Sequence, residues 1–68
     1  MDLTLTEGFE VDILYSRYMG QLRELTASAQ EISGGSFNYV MIRIDIALHA
    51  RFFFIRQEDA TAFALKWL

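Results

Sequence analysis

A chain of 68 residues with a formal charge of −3, one histidine, no cysteine and no proline has room for one domain, here residues 1–68. A disulfide framework is excluded, and His49 alone cannot build a zinc site that takes four Cys/His ligands. The acidic balance argues against broad nucleic-acid binding, which needs Lys and Arg clustered against phosphate.

The N-terminal stretch alternates. Met1, Leu3 and Leu5 are interleaved with Asp2, Thr4 and Thr6, then Phe9, Val11 and Ile13 with Glu10 and Asp12. Period-two alternation predicts strands. A three-residue loop, Thr6-Glu7-Gly8, would join them and put all six apolar residues on one face. A competing pattern runs through Val11, Tyr15, Tyr18, Leu22, Leu25, Ala29 and Ile32, spaced like a heptad seam, and reads residues 9–32 as one long helix. Both cannot hold over residues 9–15. The β-branched and aromatic content there, with Gly8 placed for a turn, favours strand.

From about Arg17 a helix is expected under either reading, with Ser16 as N-cap and Tyr18, Leu22, Leu25 and Ala29 as its apolar stripe. Gly20 lies within it, where glycine costs up to ~1 kcal/mol against alanine. Gly34, just past Ser33, is placed to end it.

After Gly34-Gly35-Ser36 a second strand pair is expected. Val40, Ile42, Ile44, Ile46 and Leu48 would form its core face, and Tyr39, Met41, Arg43, Asp45 and Ala47 the opposite face. The next strand, Arg51 to Arg56, is apolar through its centre. The turn is expected near Leu48-His49-Ala50, where no Gly, Asn or Asp specifies its geometry. Two loop residues would put Phe52 and Phe54 beside Arg43 and Asp45; three would exchange the aromatic sets between faces. The final helix, capped by Asp59, would bury Ala60, Phe63, Ala64, Trp67 and Leu68, with Lys66 complementing its C-terminal dipole.

The predicted fold is α+β: an antiparallel-dominated sheet of three to four strands with two helices on one face, in the order (β)βαββα, the first strand bracketed as the least constrained.

Chemistry is harder to find. His49 at a predicted turn has no partner set that would make it a base. Glu10 and Asp12 share a strand face and read as the wet side of a hairpin. Gly34-Gly35-Ser36 follows a helix, whereas a phosphate cradle opens one. Arg43, Arg51 and Arg56 interleave with Tyr39, Phe52 and Phe54, a pattern that can stack single-stranded bases, but no cationic groove surrounds it. No catalytic, cofactor or metal residue is assigned, and the expectation is a protein that is not an enzyme and needs no cofactor.

Hydrophobic residues make up 53% of the sequence. A domain this small buries only roughly 60% of its unfolded surface, so some of that apolar content has to lie outside. Exposed apolar patches mark partner surfaces. Five of the six cations are arginine, the cation enriched at interfaces.

The sequence therefore predicts a non-enzymatic protein-interaction module. It would self-associate as a homodimer or higher oligomer, or bind and regulate a larger protein, as a phage- or bacterium-type accessory or inhibitor would. Its candidate interface is Tyr39, Met41, Arg43, Phe52, Phe54 and Arg56. The alternatives are a small-ligand or nucleotide binder with a pocket between subunits, and a single-stranded nucleic-acid binder. A cytoplasmic setting is expected: cysteine is absent, Met1-Asp2-Leu3-Thr4 lacks a basic n-region, and no apolar run is long enough for a membrane.

Overall fold

A computed structural model of the chain describes residues 8–15 and 21–68. The expected first strand over Met1–Leu5, Thr6 and Glu7 of its loop, the Ser16 cap, Arg17, Tyr18 and Gly20 lie outside the described residues.

Phe9–Leu14 forms strand β1, so the strand reading holds over the segment where the heptad pattern competed. Val11 and Ile13 are buried, while Glu10 and Asp12 point to the other face. Gly8 precedes the strand at φ +129°, and a Cβ there would lie 2.5 Å from the Phe54 carbonyl oxygen. Only glycine fits that approach.

Helix α1, Gln21–Ser33, buries Leu25 and Ala29 and half-buries Leu22 and Ile32. Its start is tied to the end of β1 by Gln21 Nε2, which donates to the Leu14 carbonyl at 3.2 Å. Its end is closed at Gly34, φ +66°, whose N–H donates to the Gln30 carbonyl at 2.8 Å. That left-handed glycine terminates the helix as the sequence predicts.

Strands β2, Phe37–Ile44, and β3, Ala47–Phe54, form a hairpin. Its turn is Asp45-Ile46, with Ile44 opposite Ala47, Arg43 opposite Leu48 and Tyr39 opposite Phe52. This corrects the turn expected near Leu48-His49-Ala50, and the correction inverts both faces. Val40, Ile42 and Ile44 point away from the helices, and Phe37, Tyr39, Phe52 and Phe54 point toward them.

Two causes select this register. Asp45 adopts φ +59°, a conformation Asp tolerates better than most residues. The register also gathers four aromatic rings on the helix side, where each large ring buries more apolar area than an isoleucine does. Ile46, expected in a strand, is left at the turn tip and is 92% exposed.

Helix α2, Gln57–Trp67, starts three residues earlier than a cap at Asp59 implies. Arg56 is the N-cap residue, in extended conformation with no side-chain cap bond. Asp59 lies buried in the first turn and accepts hydrogen bonds from Arg56 Nε and Nη2 at 3.2 and 3.4 Å. Ala60 and Phe63 are buried and Ala64 and Trp67 pack against the core, but Leu68 is exposed.

The fold is α+β: a three-stranded antiparallel sheet in the order β1-β3-β2, with both helices packed on one face. β1 and β2 both run antiparallel to the central β3, so β1-α1-β2 is a split β-α-β unit with β3 inserted between its strands. The core joins Val11, Ile13, Phe52 and Phe54 of the sheet to Leu25 of α1 and Phe63 of α2. The Phe63 ring lies 4.8 Å from that of Phe52 and 5.2 Å from that of Phe54. Trp67 extends the stack and donates from Nε1 to Ser28 Oγ at 3.1 Å, joining the two helices.

Truncating Phe63 to alanine removes the wedge between α2 and the sheet. Such changes cost about 3–5 kcal/mol, and a core of this size supplies only ~3–5 kcal/mol in total. Far-UV circular dichroism of Phe63→Ala should show a largely unfolded chain; a native spectrum with an unchanged melting midpoint would contradict the packing. At the turn, Asp45→Val forces a β-branched residue to positive φ and should lower stability by about 1–2 kcal/mol, whereas Asp45→Gly should not. Urea titration of the two variants checks the assignment.

Candidate interaction surface

Pairing fixes the side chains on the sheet face opposite the helices. Glu10, Phe53 and Asn38 form one row across β1, β3 and β2; Asp12, Arg51 and Val40 form the next; Leu14, His49 and Ile42 the third. Ile44 and Ala47 complete the face beside the turn.

The face has two halves of different character. The β1 side is charged. Arg51 Nε and Nη2 donate to Asp12 Oδ1 and Oδ2 at 2.8 and 3.0 Å, a two-pronged pair between neighbouring strands. Glu10 Oε1 lies 3.4 Å from the same guanidinium. The hydrogen bond from Arg51 holds the Asp12 carboxyl below the usual aspartate range, against partial burial that acts in the opposite direction.

The β2 side is apolar. Val40 and Ile44 are exposed by 39% and 37%, with Ile42 half-buried between them. Leu14, at the end of β1, is 60% exposed. Val40, Ile42 and Ile44 run together toward Ile46 at the turn tip, and the half-buried His49 separates Ile42 from Leu14. Phe53 is buried although it belongs to this face and not to the core cluster.

The interface residues predicted from sequence do not form one surface. Phe52 and Phe54 are fully buried in the core, so the inverted hairpin removes them from any open face. Tyr39 is half-buried, its ring 5.3 Å from that of Phe52. Met41 and Arg43 are exposed at the far end of β2, on the helix side of the sheet. Arg56 stands apart at the start of α2, engaged with Asp59 and, at 3.6 Å, with Glu58. The pattern missed Leu14, Val40, Ile42 and Ile44. The signal that locates them is Asp45, the residue in the Arg43–Leu48 stretch best suited to positive φ; a turn there sends the even-numbered residues of β2 outward.

His49 Nδ1 lies 3.1 Å from the Ala47 carbonyl oxygen, which makes Nδ1 the protonated nitrogen and spends it on the backbone. Among the described residues no three His, Cys, Asp or Glu side chains are grouped to hold a metal ion, and no helix is long and apolar enough to cross a membrane. A shallow depression lies between the helices, lined by Glu24, Ser28, Glu31, Lys66 and Trp67. Its Ser28 hydroxyl is already bonded to Trp67. A second runs along α2 past Gln57, Thr61 and Leu65. Neither converges several polar atoms on one point, as a ligand site does.

The Asp12–Arg51 pair carries a pH signature. Asp12 has a folded-state pKa below its unfolded value, so its contribution to stability is complete above the unfolded aspartate range and is lost as pH falls through the folded value. Asp12→Asn should therefore be less stable than the parent at neutral pH, and the gap should close as pH is lowered through and below the usual aspartate range. Thermal melts across an acid series test this; a gap independent of pH would contradict it.

No family model, curated protein or solved structure matches the sequence.

Proposed function

We propose that the chain is a non-enzymatic protein-interaction module that acts by associating with itself through the β2 side of its sheet. The observation that carries this reading is the contiguous apolar strip of Val40, Ile42 and Ile44 on the face the helices leave open. A sheet with one wet face normally alternates apolar-in with polar-out. Here the outward residues of β2 after Asn38 are all β-branched aliphatics, as buried strands have.

Size supports the same reading. A small domain gains little from its own core, so association is an effective way to shield what the fold leaves out. A cysteine-free chain fits a cytoplasmic setting.

Sedimentation velocity over a wide concentration range tests the proposal. The weight-average mass should rise from one chain toward two or more as concentration increases from the low micromolar range. A single-chain mass held up to millimolar concentration would overturn it.

A further inference from the structure

Among the described residues β2 pairs with β3 alone, so its other edge is open. The turn determines which backbone groups point there. In a two-residue hairpin the residues flanking the turn form a hydrogen-bonded pair, and alternate pairs follow suit. Ile44, Ile42 and Val40 therefore spend their N–H and C=O groups on Ala47, His49 and Arg51. Met41 and Arg43 direct theirs away from β3. Tyr39 has the same parity, and its N–H donates to Asn38 Oδ1 at 2.9 Å instead of entering the ladder.

We propose that β2 pairs antiparallel with β2 of a second copy of this chain, about a two-fold axis at Ile42. The inference rests on the self-association proposed above and specifies its geometry. In this register Met41 stands opposite Arg43 of the second copy, and each such pair exchanges two backbone hydrogen bonds. The ladder thus uses the open groups of Met41 and Arg43 and leaves the Tyr39 N–H with its existing acceptor. On the outer face Ile42 meets its own copy, and Val40 meets Ile44 on either side. Six β-branched side chains join into one strip across the axis.

The neighbouring registers are worse for stated reasons. A slip that places odd residues opposite even ones would send the apolar set to opposite faces. An axis at Met41 sets Ile44 against Asn38 and requires the Tyr39 N–H. An axis at Arg43 places two guanidinium groups directly opposite each other, which is destabilising. With the axis at Ile42, Arg43 is diagonal to Tyr39 of the second copy, within reach for a cation–π contact, and the two Arg43 side chains are diagonal instead of directly opposite.

The self-match of this register points to a second copy as the occupant, and charge does not oppose it. The chain carries −3, yet β2 bears only a cation, Arg43. The strand carboxylates Glu10 and Asp12 lie on β1, at the opposite edge. Joining two sheets at β2 leaves the β1 strands about 24 Å apart, five strand spacings, well beyond the Debye length of about 8 Å at physiological salt. The usual guards of an open edge, lysine and proline, are absent from β2.

Sedimentation equilibrium of four proteins tests the register. Wild type should approach two chain masses with rising concentration. Met41→Pro should remain at one chain mass with its fold intact, because the N–H it removes faces away from β3. Ile42→Lys and Ile42→Glu should each be single chains, with like charges meeting at the axis, and mixing them in equal amounts should restore the two-chain mass. A wild-type dimer that persists in Met41→Pro, or a Lys/Glu mixture that stays at one chain mass, overturns the β2 pairing while leaving self-association standing. Wild type at one chain mass throughout overturns both.

Discussion

The packing of Phe63 between Phe52 and Phe54 organises this molecule. It fastens α2 to the central strand, and the rings of Phe37 and Tyr39 extend it onto β2. A hairpin has two ways to face a core. This cluster chooses the one that buries aromatics and turns the aliphatic residues of β2 outward. The position of the turn and the polarity of the outer face follow from that choice.

Much of the architecture is legible in the amino-acid pattern. Alternation at Phe9–Ile13, the 3.6-residue stripe through Leu25 and Ala29, the glycine after Ser33 and the stripe through Ala60 and Phe63 locate their elements and the α+β class. The hairpin face is less legible because both of its faces are apolar. In β2 the even positions after Asn38 hold Val and Ile, while the odd ones before Arg43 hold Phe, Tyr and Met; in β3 three phenylalanines follow one another. Hydrophobic alternation cannot rank two apolar faces. The turn could, through the tolerance of Asp45 for positive φ, but Ile46 is an unusual residue at a turn tip and masks the signal.

The candidate site inherits that ambiguity. Met41 and Arg43 keep the exposure expected of them, whereas Phe52 and Phe54 move to the core and Val40, Ile42 and Ile44 take their place outside. Exposed apolar residues lie partly on the aliphatic side of the hairpin, at Val40 and Ile44, and partly elsewhere, at Ile55, Leu65 and Leu68. The two halves of the outer face then divide along the strands. Arg51 pairs with the carboxylates next to it on β1, and the β2 side is left apolar, its outer edge unpaired among the described residues.

The central claim is the hairpin register, and through-space proton contacts read it directly. Arg43–Leu48, Met41–Ala50 and Tyr39–Phe52 are the wide, non-hydrogen-bonded pairs of the ladder, whose α-protons approach closely across the strands. A nuclear Overhauser spectrum should contain those α-proton cross-peaks. Cross-peaks linking the α-protons of Ala47 to Phe52 and Asp45 to Phe54 in their place would move the turn to His49-Ala50, return the isoleucines to the core side and contradict the account.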